Sequence, residues 1–374
     1  MSTAAEQDYS RPHERIYMDI EFGIFDSFDL GTGTPEAVLD DRLKLAVEAE
    51  RLGIDRYHVT EHHGTPLSVC PSPNIFLSAL TQRTTRMRIG ALVYVLPAYD
   101  PVRLAEELAV IDQLSHGRLD FGVGRGVSPY ELKYLGVDPD ISLPVYVETL
   151  AAITTAFTTG RFNHRGPHLR DIDVELPMLP RQRPYPPLWY ASSNIATAEW
   201  AGSNAVNFVG RWNDGEFLKG AETYWSAWKS RDTELALNAS SDTVPRVGIN
   251  PTLVIAGTEE EANALFMRHQ TRFREHVVLR WHENDDHRVD NFADPVFGLK
   301  SGNAVVGTVD SVIEQLLIQF SSGMFNYLEP MIYFGDMDFA ASLRNLELYS
   351  QEVIPALKAH LQSYLSVPSS RTPA

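Results

Sequence analysis

The chain has 374 residues, a formal net charge of −17, 44% hydrophobic and 22% charged residues, and a single cysteine. That is globular composition, long enough for one large domain or two ordinary ones. The acidity argues against nucleic acid or an anionic membrane surface as a partner, because both demand concentrated Lys and Arg. The lone Cys70 permits no intramolecular disulfide and reads as a passive, partly buried thiol.

Residues 1–15 are polar and mixed in charge, without the apolar centre of a secretion signal. They read as a flexible arm before a single domain over 16–362, with 363–374 as a flexible tail. No uninterrupted apolar run approaches the roughly 20 residues of a membrane helix, so a cytoplasmic protein is expected. Residues 20–28 form an apolar strand. Thr34-Pro35 opens a helix with Leu39, Leu43, Ala46 and Leu52 at helical spacing, and Gly53 closes it. A strand over 56–61 follows, then a helix from Ser72-Pro73, a strand over 87–96, a helix from Asp100-Pro101, and a strand over 118–124. Three successive helices thus start with a polar cap followed by proline. The second half continues with strands over 187–192, 205–210, 246–256 and 325–334. Helices open at Thr258 and Thr308, and a last one runs around 343–361. The least regular stretches are 159–187 and 282–303. About eight strands alternating with helices predict an α/β protein, a (β/α)8 TIM barrel with insertions at its C-terminal face. An open doubly wound sheet is the rival, disfavoured because no dinucleotide fingerprint opens the chain.

Such a barrel carries its chemistry where strands end, and several chemically unusual groups fall there. Glu61-His62-His63 closes the second strand. An imidazole suits general base work, and the bland reading is a pair of hydrogen-bonded loop histidines. Neighbouring strand residues point oppositely, so one ring would face the pocket and the other would hold Glu61 or a loop. His58 adds a zinc reading, but the segment is strand rather than helix and no matching ligands appear at other strand ends; no metal is expected at this site. In Gly122-Val123-Gly124-Arg125-Gly126, Arg125 can grip a phosphate, or merely face solvent from a tight turn. Ser192-Ser193-Asn194-Ile195-Ala196-Thr197 sits where a strand hands over to a helix, which suits either an anion or an ordinary cap. Trp189, Tyr190, Trp200 and Trp212 flank this region as pocket wall or core.

In this order the residues resemble the bacterial luciferase-like flavin monooxygenase family. The resemblance spans about residues 19–360 and is densest through residue 126. It rests on Glu61-His62-His63 with Pro71-Ser72-Pro73-Asn74, on Ile89-Gly90 with Val95-Leu96-Pro97, and above all on Asp112-Gln113-Leu114-Ser115-His116-Gly117-Arg118 leading into Phe121-Gly122-Val123-Gly124-Arg125-Gly126. Thr197-Ala198-Glu199-Trp200 and Val353-Ile354-Pro355-Ala356-Leu357 also fit. The resemblance implies a TIM barrel that dimerises and binds FMN at its strand ends. It implies that Arg125, with Ser192, Ser193, Asn194 and Thr197, holds the FMN phosphate. It places a cis peptide bond under the flavin ring at Leu92-Val93, and makes His62 the catalytic histidine with His63 beside it.

The activity so implied is monooxygenation of a small, largely apolar organic substrate. Reduced FMN, delivered by a separate reductase, would react with O2 through a flavin hydroperoxide. The chain departs from the light-producing luciferase subunit at three places. Gly124 replaces a reactive cysteine, Ser193 a glutamate and Ser128 a tyrosine, and no mouth-covering insert is recognisable in 282–303. These departures count against light emission. Other readings are a deazaflavin-dependent hydride-transfer enzyme on the same barrel, a metal-dependent hydrolase using His58, His62 and His63, and a flavin-binding protein without turnover. Loops around 64–70, 128–140 and 282–303 are expected to wall the pocket.

Overall fold

The repeated cap-and-proline start governs the N-terminal half of the computed structural model, which describes residues 20–238 and 244–365. Strand β1 (Glu21–Asp26) leads to helix α1 (Pro35–Arg51), β2 (Arg56–Val59) to α2 (Pro73–Thr81), and β3 (Arg88–Val95) to α3 (Pro101–Leu114). The Thr34 hydroxyl accepts the Ala37 N–H, and the Asp100 carboxylate accepts those of Val102 and Arg103. At α2 the proline sets the start alone, because the Ser72 side chain makes no cap bond. β4 (Leu119–Gly124) follows, then the short α4 (Pro129–Tyr134) and α5 (Ser142–Thr159).

The second half carries additions. β5 (Arg161–His164) and β6 (Ile172–Glu175) form an antiparallel hairpin in the stretch expected to be irregular. β7 (Leu188–Ala191), α6 (Ile195–Ser203), β8 (Asn207–Gly210), α7 (Glu216–Ser230) and β9 (Val247–Ile249) resume the alternation. The expected single strand over 246–256 is broken, because Pro251 has no N–H to continue a ladder. Beyond it, β10 (Thr252–Ile255) leaves the barrel and pairs in parallel with β11 (Ala304–Gly307), a strand the sequence reading did not contain. Between these two run α8 (Glu259–His282) and α9 (Pro295–Lys300); after them come α10 (Val309–Phe320), β12 (Tyr327–Leu328), α11 (Phe339–Leu348) and α12 (Ile354–Leu365). The last helix thus continues three residues past the expected domain end. The expected arm, 1–15, and residues 366–374 of the expected tail lie outside the described residues. One helical stretch, residues 139–159, is long and apolar enough by length and composition to cross a membrane, which the search for an unbroken apolar run did not register; half of its most apolar window is buried inside the molecule.

Eight strands close a parallel barrel in the order β1-β2-β3-β4-β7-β8-β9-β12. All eight fall where the sequence predicts strands. Alternate residues point inward, and near the amino ends those residues are charged. Arg56 pairs with Glu21 and Asp120, both at 2.6 Å. Arg88 pairs with Asp120 at 2.7 Å, and Arg246 with Glu21 at 2.6 Å. His58 lies between Glu329 at 2.5 Å and Asp120 at 3.2 Å. Burial alone would lower the His58 pKa, but Glu329 and Asp120 overcome it and raise it to about 9. Trp189 lids this network, its ring 4.9 Å from the Arg56 guanidinium and 4.7 Å from the His58 ring. Above it the interior turns apolar: Leu92, Trp189, Val209 and Tyr327 cluster, with Phe25 and Val93 against them.

Candidate functional site

Four strands that are consecutive around the barrel, β2, β3, β4 and β7, carry the site residues singled out from the sequence, and β8 stands next to them. All enter the same mouth, because parallel strands end on one face.

β2 ends at Val59, earlier than expected, so the histidines lie in the loop and strand alternation does not orient them. Their carboxylate partners do. His63 turns back, its Nε2 at 2.8 Å from Glu61 Oε1. The other Glu61 oxygen accepts the Val95 N–H at 3.1 Å and the Tyr99 hydroxyl at 2.9 Å, tying the β2 loop to the end of β3. His62 Nδ1 lies 3.3 Å from both oxygens of Glu131, and Glu131 Oε2 also accepts the His63 backbone N–H at 2.8 Å. Burial works to raise the Glu131 pKa, but His62 and the His63 N–H outweigh it and hold the carboxyl below its usual range. Glu131 is therefore an ionised partner that fixes one nitrogen of a partly exposed imidazole. Sequence reasoning missed it. Ser128-Pro129-Tyr130-Glu131 reads as a capping box; the Ser128 hydroxyl does accept the Glu131 N–H at 3.3 Å, while the Glu131 side chain goes to the histidines instead.

His58, His62 and His63 are not brought to one point. Each has its own carboxylate partner, Glu329, Glu131 and Glu61 respectively. The hydrolase reading loses its ligand set.

On β3 the Leu92-Val93 peptide bond is cis, at the position the resemblance gave. The β3–β4 ladder shifts register there, between Ala91 and Tyr94. β4 approaches very closely: a Cβ on Gly124 would stand 2.3 Å from Val93 Cγ2, and one on Gly122 would stand 2.0 Å from the Ala91 carbonyl oxygen. A side chain at 122 would push the two strands apart, and one at 124 would displace the Val93 side chain. This is a packing reason for glycine at 124, where the luciferase subunit has cysteine.

The next three strand ends form a polar cradle. Arg125, after β4, is exposed, has no carboxylate partner among the described residues, and places its charge near Tyr190 on β7. After β7, Asn194 is the N-cap of α6 and accepts the Ala196 N–H at 2.9 Å. The Ser192 hydroxyl accepts the Asn194 N–H at 3.1 Å, and the Ser193 hydroxyl accepts the Arg211 N–H at 3.2 Å. Thr197 lies in the first turn of α6, partly exposed. After β8 comes Arg211, a second site residue the sequence reading missed. Its Nε is buried without a hydrogen-bond partner, and burial lowers its pKa to about 10. The available signal was the doublet: Gly210-Arg211 ends its strand as Gly124-Arg125 ends its own.

Trp189 is barrel interior. Tyr190 packs on Trp200 at 5.5 Å and Tyr146 at 6.2 Å, and Trp212 on Phe325 at 6.2 Å, so these rings are largely framework. Cys70 is buried, and burial raises its thiol to about 11, an unreactive group.

Residues 280–292, which overlap the stretch where no insert was recognised, reach the loops after β2, β4 and β8. The Tyr130 hydroxyl donates to Asp286 at 2.9 Å, and its ring meets Trp281 at 5.5 Å. Arg280 Nε donates to the Gly64 carbonyl at 2.6 Å, and Phe292 lies 4.8 Å beneath the Arg211 guanidinium. Such single aromatic and charged contacts leave no pattern in the letters.

Two arginines, one with an orphaned buried Nε, and a run of hydroxyls at a helix start stand on three adjoining strand ends, a donor set suited to an anion such as phosphate. The backbone between that cradle and His62 is the cis Leu92-Val93 unit. These residues fit a flavin mononucleotide. The chain is 26% identical to a limonene 1,2-monooxygenase from Rhodococcus erythropolis, over 85% of this chain and 81% of that one. It is 29% identical to the oxygenase component of a flavin-dependent trigonelline monooxygenase from Acinetobacter baylyi, over 46% of this chain and 49% of that one. Its fold is similar to the oxygenating constituent of 3,6-diketocamphane monooxygenase from Pseudomonas putida, a type II Baeyer-Villiger monooxygenase solved with FMN, at a TM-score of 0.74 and 22% identity, covering 90% of this chain and 98% of that one. The luciferase-like monooxygenase model matches residues 20–324, and the chain belongs to that family.

Proposed function

We propose that this protein is the oxygenase of a two-component system. It takes reduced FMN from a separate flavin reductase and uses O2 to oxidise a small, largely apolar organic substrate. The observation that carries this is the run of consecutive strand ends: His62 with Glu131, Leu92 and Val93 on β3, Arg125, the 192–197 hydroxyls and Arg211. The apolar upper barrel and the aromatic insert residues favour an apolar substrate, as does a limonene-oxidising relative. The related trigonelline oxygenase component supports a separate reductase.

When bound, reduced flavin supplies the electrons that make O2 reactive. The chain supplies the rest. Arg125 and Arg211 neutralise the phosphate, and Ser192, Ser193, Asn194 and Thr197 line its seat. Leu92, Val93 and Trp189 give the ring an apolar floor. Glu131 holds His62 Nδ1, leaving Nε2 to take or give a proton at the mouth. The 282–303 insert limits entry of water. We further propose a cytoplasmic homodimer. Exposed Ile75 on α2, and Val110 and Leu114 on the neighbouring α3, offer apolar surface for a second copy.

Equilibrium titration with FMN, reduced FMN and a deazaflavin tests the reading. Uptake of reduced FMN, followed by O2 consumption that rises with an apolar substrate, supports it. Uptake of the deazaflavin alone would replace it with hydride transfer, and binding without turnover on any substrate would reduce the protein to a flavin carrier.

A further inference from the structure

The segment that reaches the loops after β2, β4 and β8 carries a chemical group the flavin reading does not use. His282 ends α8, and His287 and Asp290 follow in the next turn. Asp290 bridges the two rings: its Oδ1 lies 2.5 Å from His282 Nε2 and its Oδ2 lies 3.0 Å from His287 Nδ1. The ring centroids are 4.6 Å apart. One ligand atom from each residue can be chosen so that all three lie within 4.8 Å of one another.

We infer that His282, His287 and Asp290 bind one divalent transition-metal ion, zinc being the natural probe. Metal–nitrogen and metal–oxygen bonds of about 2.1 Å set ligand atoms about 3 to 4 Å apart, a spacing this cluster reaches with small side-chain rotations. Two imidazoles with one carboxylate favour zinc, cobalt or nickel over calcium or magnesium, which prefer all-oxygen sites. The three ligands lie within a short stretch of chain, residues 282–290, so little chain entropy is lost in gathering them. Both histidines are exposed, which opens an entry path and leaves room for a water as fourth ligand. The candidate is distant in role from the flavin cradle and does not rest on it.

Placement suggests the consequence. The same turn contains Asp286, which accepts the Tyr130 hydroxyl, and Arg288, which lies 5.4 Å over Trp281. Tyr130 precedes Glu131, the partner of His62. An ion at the base of this turn would stiffen the contact between the insert and the helix that positions Glu131.

The test uses untagged full-length protein and zinc alone, in competition with a chromophoric chelator. The expected result is one zinc per chain, with affinity falling at least about tenfold in His287→Ala and in Asp290→Asn. His168→Ala, an exposed histidine elsewhere, keeps wild-type affinity. The protein's unfolding temperature rises with zinc in the wild type and not in His287→Ala. No uptake at about 100 μM free zinc, equivalent to a binding energy weaker than about 5.5 kcal/mol, overturns the inference. So does uptake that His287→Ala leaves unchanged.

Discussion

Removing the His58 imidazole should flatten the pH dependence of stability on the alkaline side. His58 is fully buried between Glu329 and Asp120, and its pKa is raised from 6.5 to about 9. A base whose folded pKa lies above its unfolded one binds its proton more tightly when folded. The stabilisation is therefore complete below about pH 6.5 and is lost as pH climbs through about 9. At about 1.36 kcal/mol per pH unit, the interval from 6.5 to about 9 corresponds to about 3 kcal/mol. The side chain is wholly enclosed, so solvent screening takes little from this figure. The assay is urea unfolding of wild type and His58→Gln at several values between pH 6 and pH 9.5, comparing midpoints at constant slope. The wild type should lose about 3 kcal/mol more than the variant across that range. Parallel curves for the two proteins would show that the His58 proton is not bound more tightly in the fold, and the ionic description of the barrel floor would be wrong.

Other expectations follow from single contacts. Arg211→Met should weaken FMN binding about 10- to 100-fold, the worth of a charge-assisted hydrogen bond of about 1.5–3 kcal/mol, with thermal stability unchanged or raised because a buried, unpaired Nε is removed; fluorescence quenching of FMN measures it. Glu131→Gln should lower kcat by about tenfold or more at unchanged KM and shift the pH–rate profile, as expected for a residue acting through His62; a change confined to KM would assign it to substrate binding. Arg42→Met should destabilise by about 3–5 kcal/mol, because it strands Asp26 and Asp29 as buried carboxylates without their cation. Arg42 lies 3.0 Å from Asp26 and 3.7 Å from Asp29, and calorimetry at neutral pH reads the loss.

The barrel was legible because its signals are local. Thr34-Pro35, Ser72-Pro73 and Asp100-Pro101 punctuate the chain, and period-two and helical patterns lie between them. The break at Pro251 was legible in principle, since proline cannot serve a central ladder, yet the apolar run on either side masked it. β11 was hidden behind a charged, glycine-containing stretch and has only Ala304–Gly307 to show. At the site, His62, His63 and Arg125 stood out because charged groups at strand ends are unusual. Glu131 and Arg211 did not. Glu131 sits where a capping glutamate belongs, and Arg211 follows a strand without a glycine-rich loop to advertise it. Glu131 matters through a histidine 69 residues away and Arg211 through a buried Nε without a hydrogen-bond partner, and beyond the Gly210-Arg211 doublet neither is visible in local sequence.

The break at Pro251 explains why both halves of the site share one neighbouring segment. If residues 246–256 had continued as a barrel strand, the chain would have met its helix directly, as β1 to β4 do. Leaving the barrel after Ile249, it builds β10 and β11 outside and suspends α8 from them. A helix of 24 residues spans about 36 Å, comparable to the width of the barrel with its helices. It lies against the loop after β2, where Thr65 and Gly64 contact His276 and Arg280. The turn that follows doubles back to Tyr130 after β4 and then to Arg211 after β8. The loops after β2, β4 and β8 are thus contacted by one continuous segment rather than by separate ones. The segment that carries Phe292 beneath Arg211 is the one that packs beside Tyr130, the neighbour of Glu131. The loops after β4 and β8 are therefore linked through one stretch of chain outside the barrel.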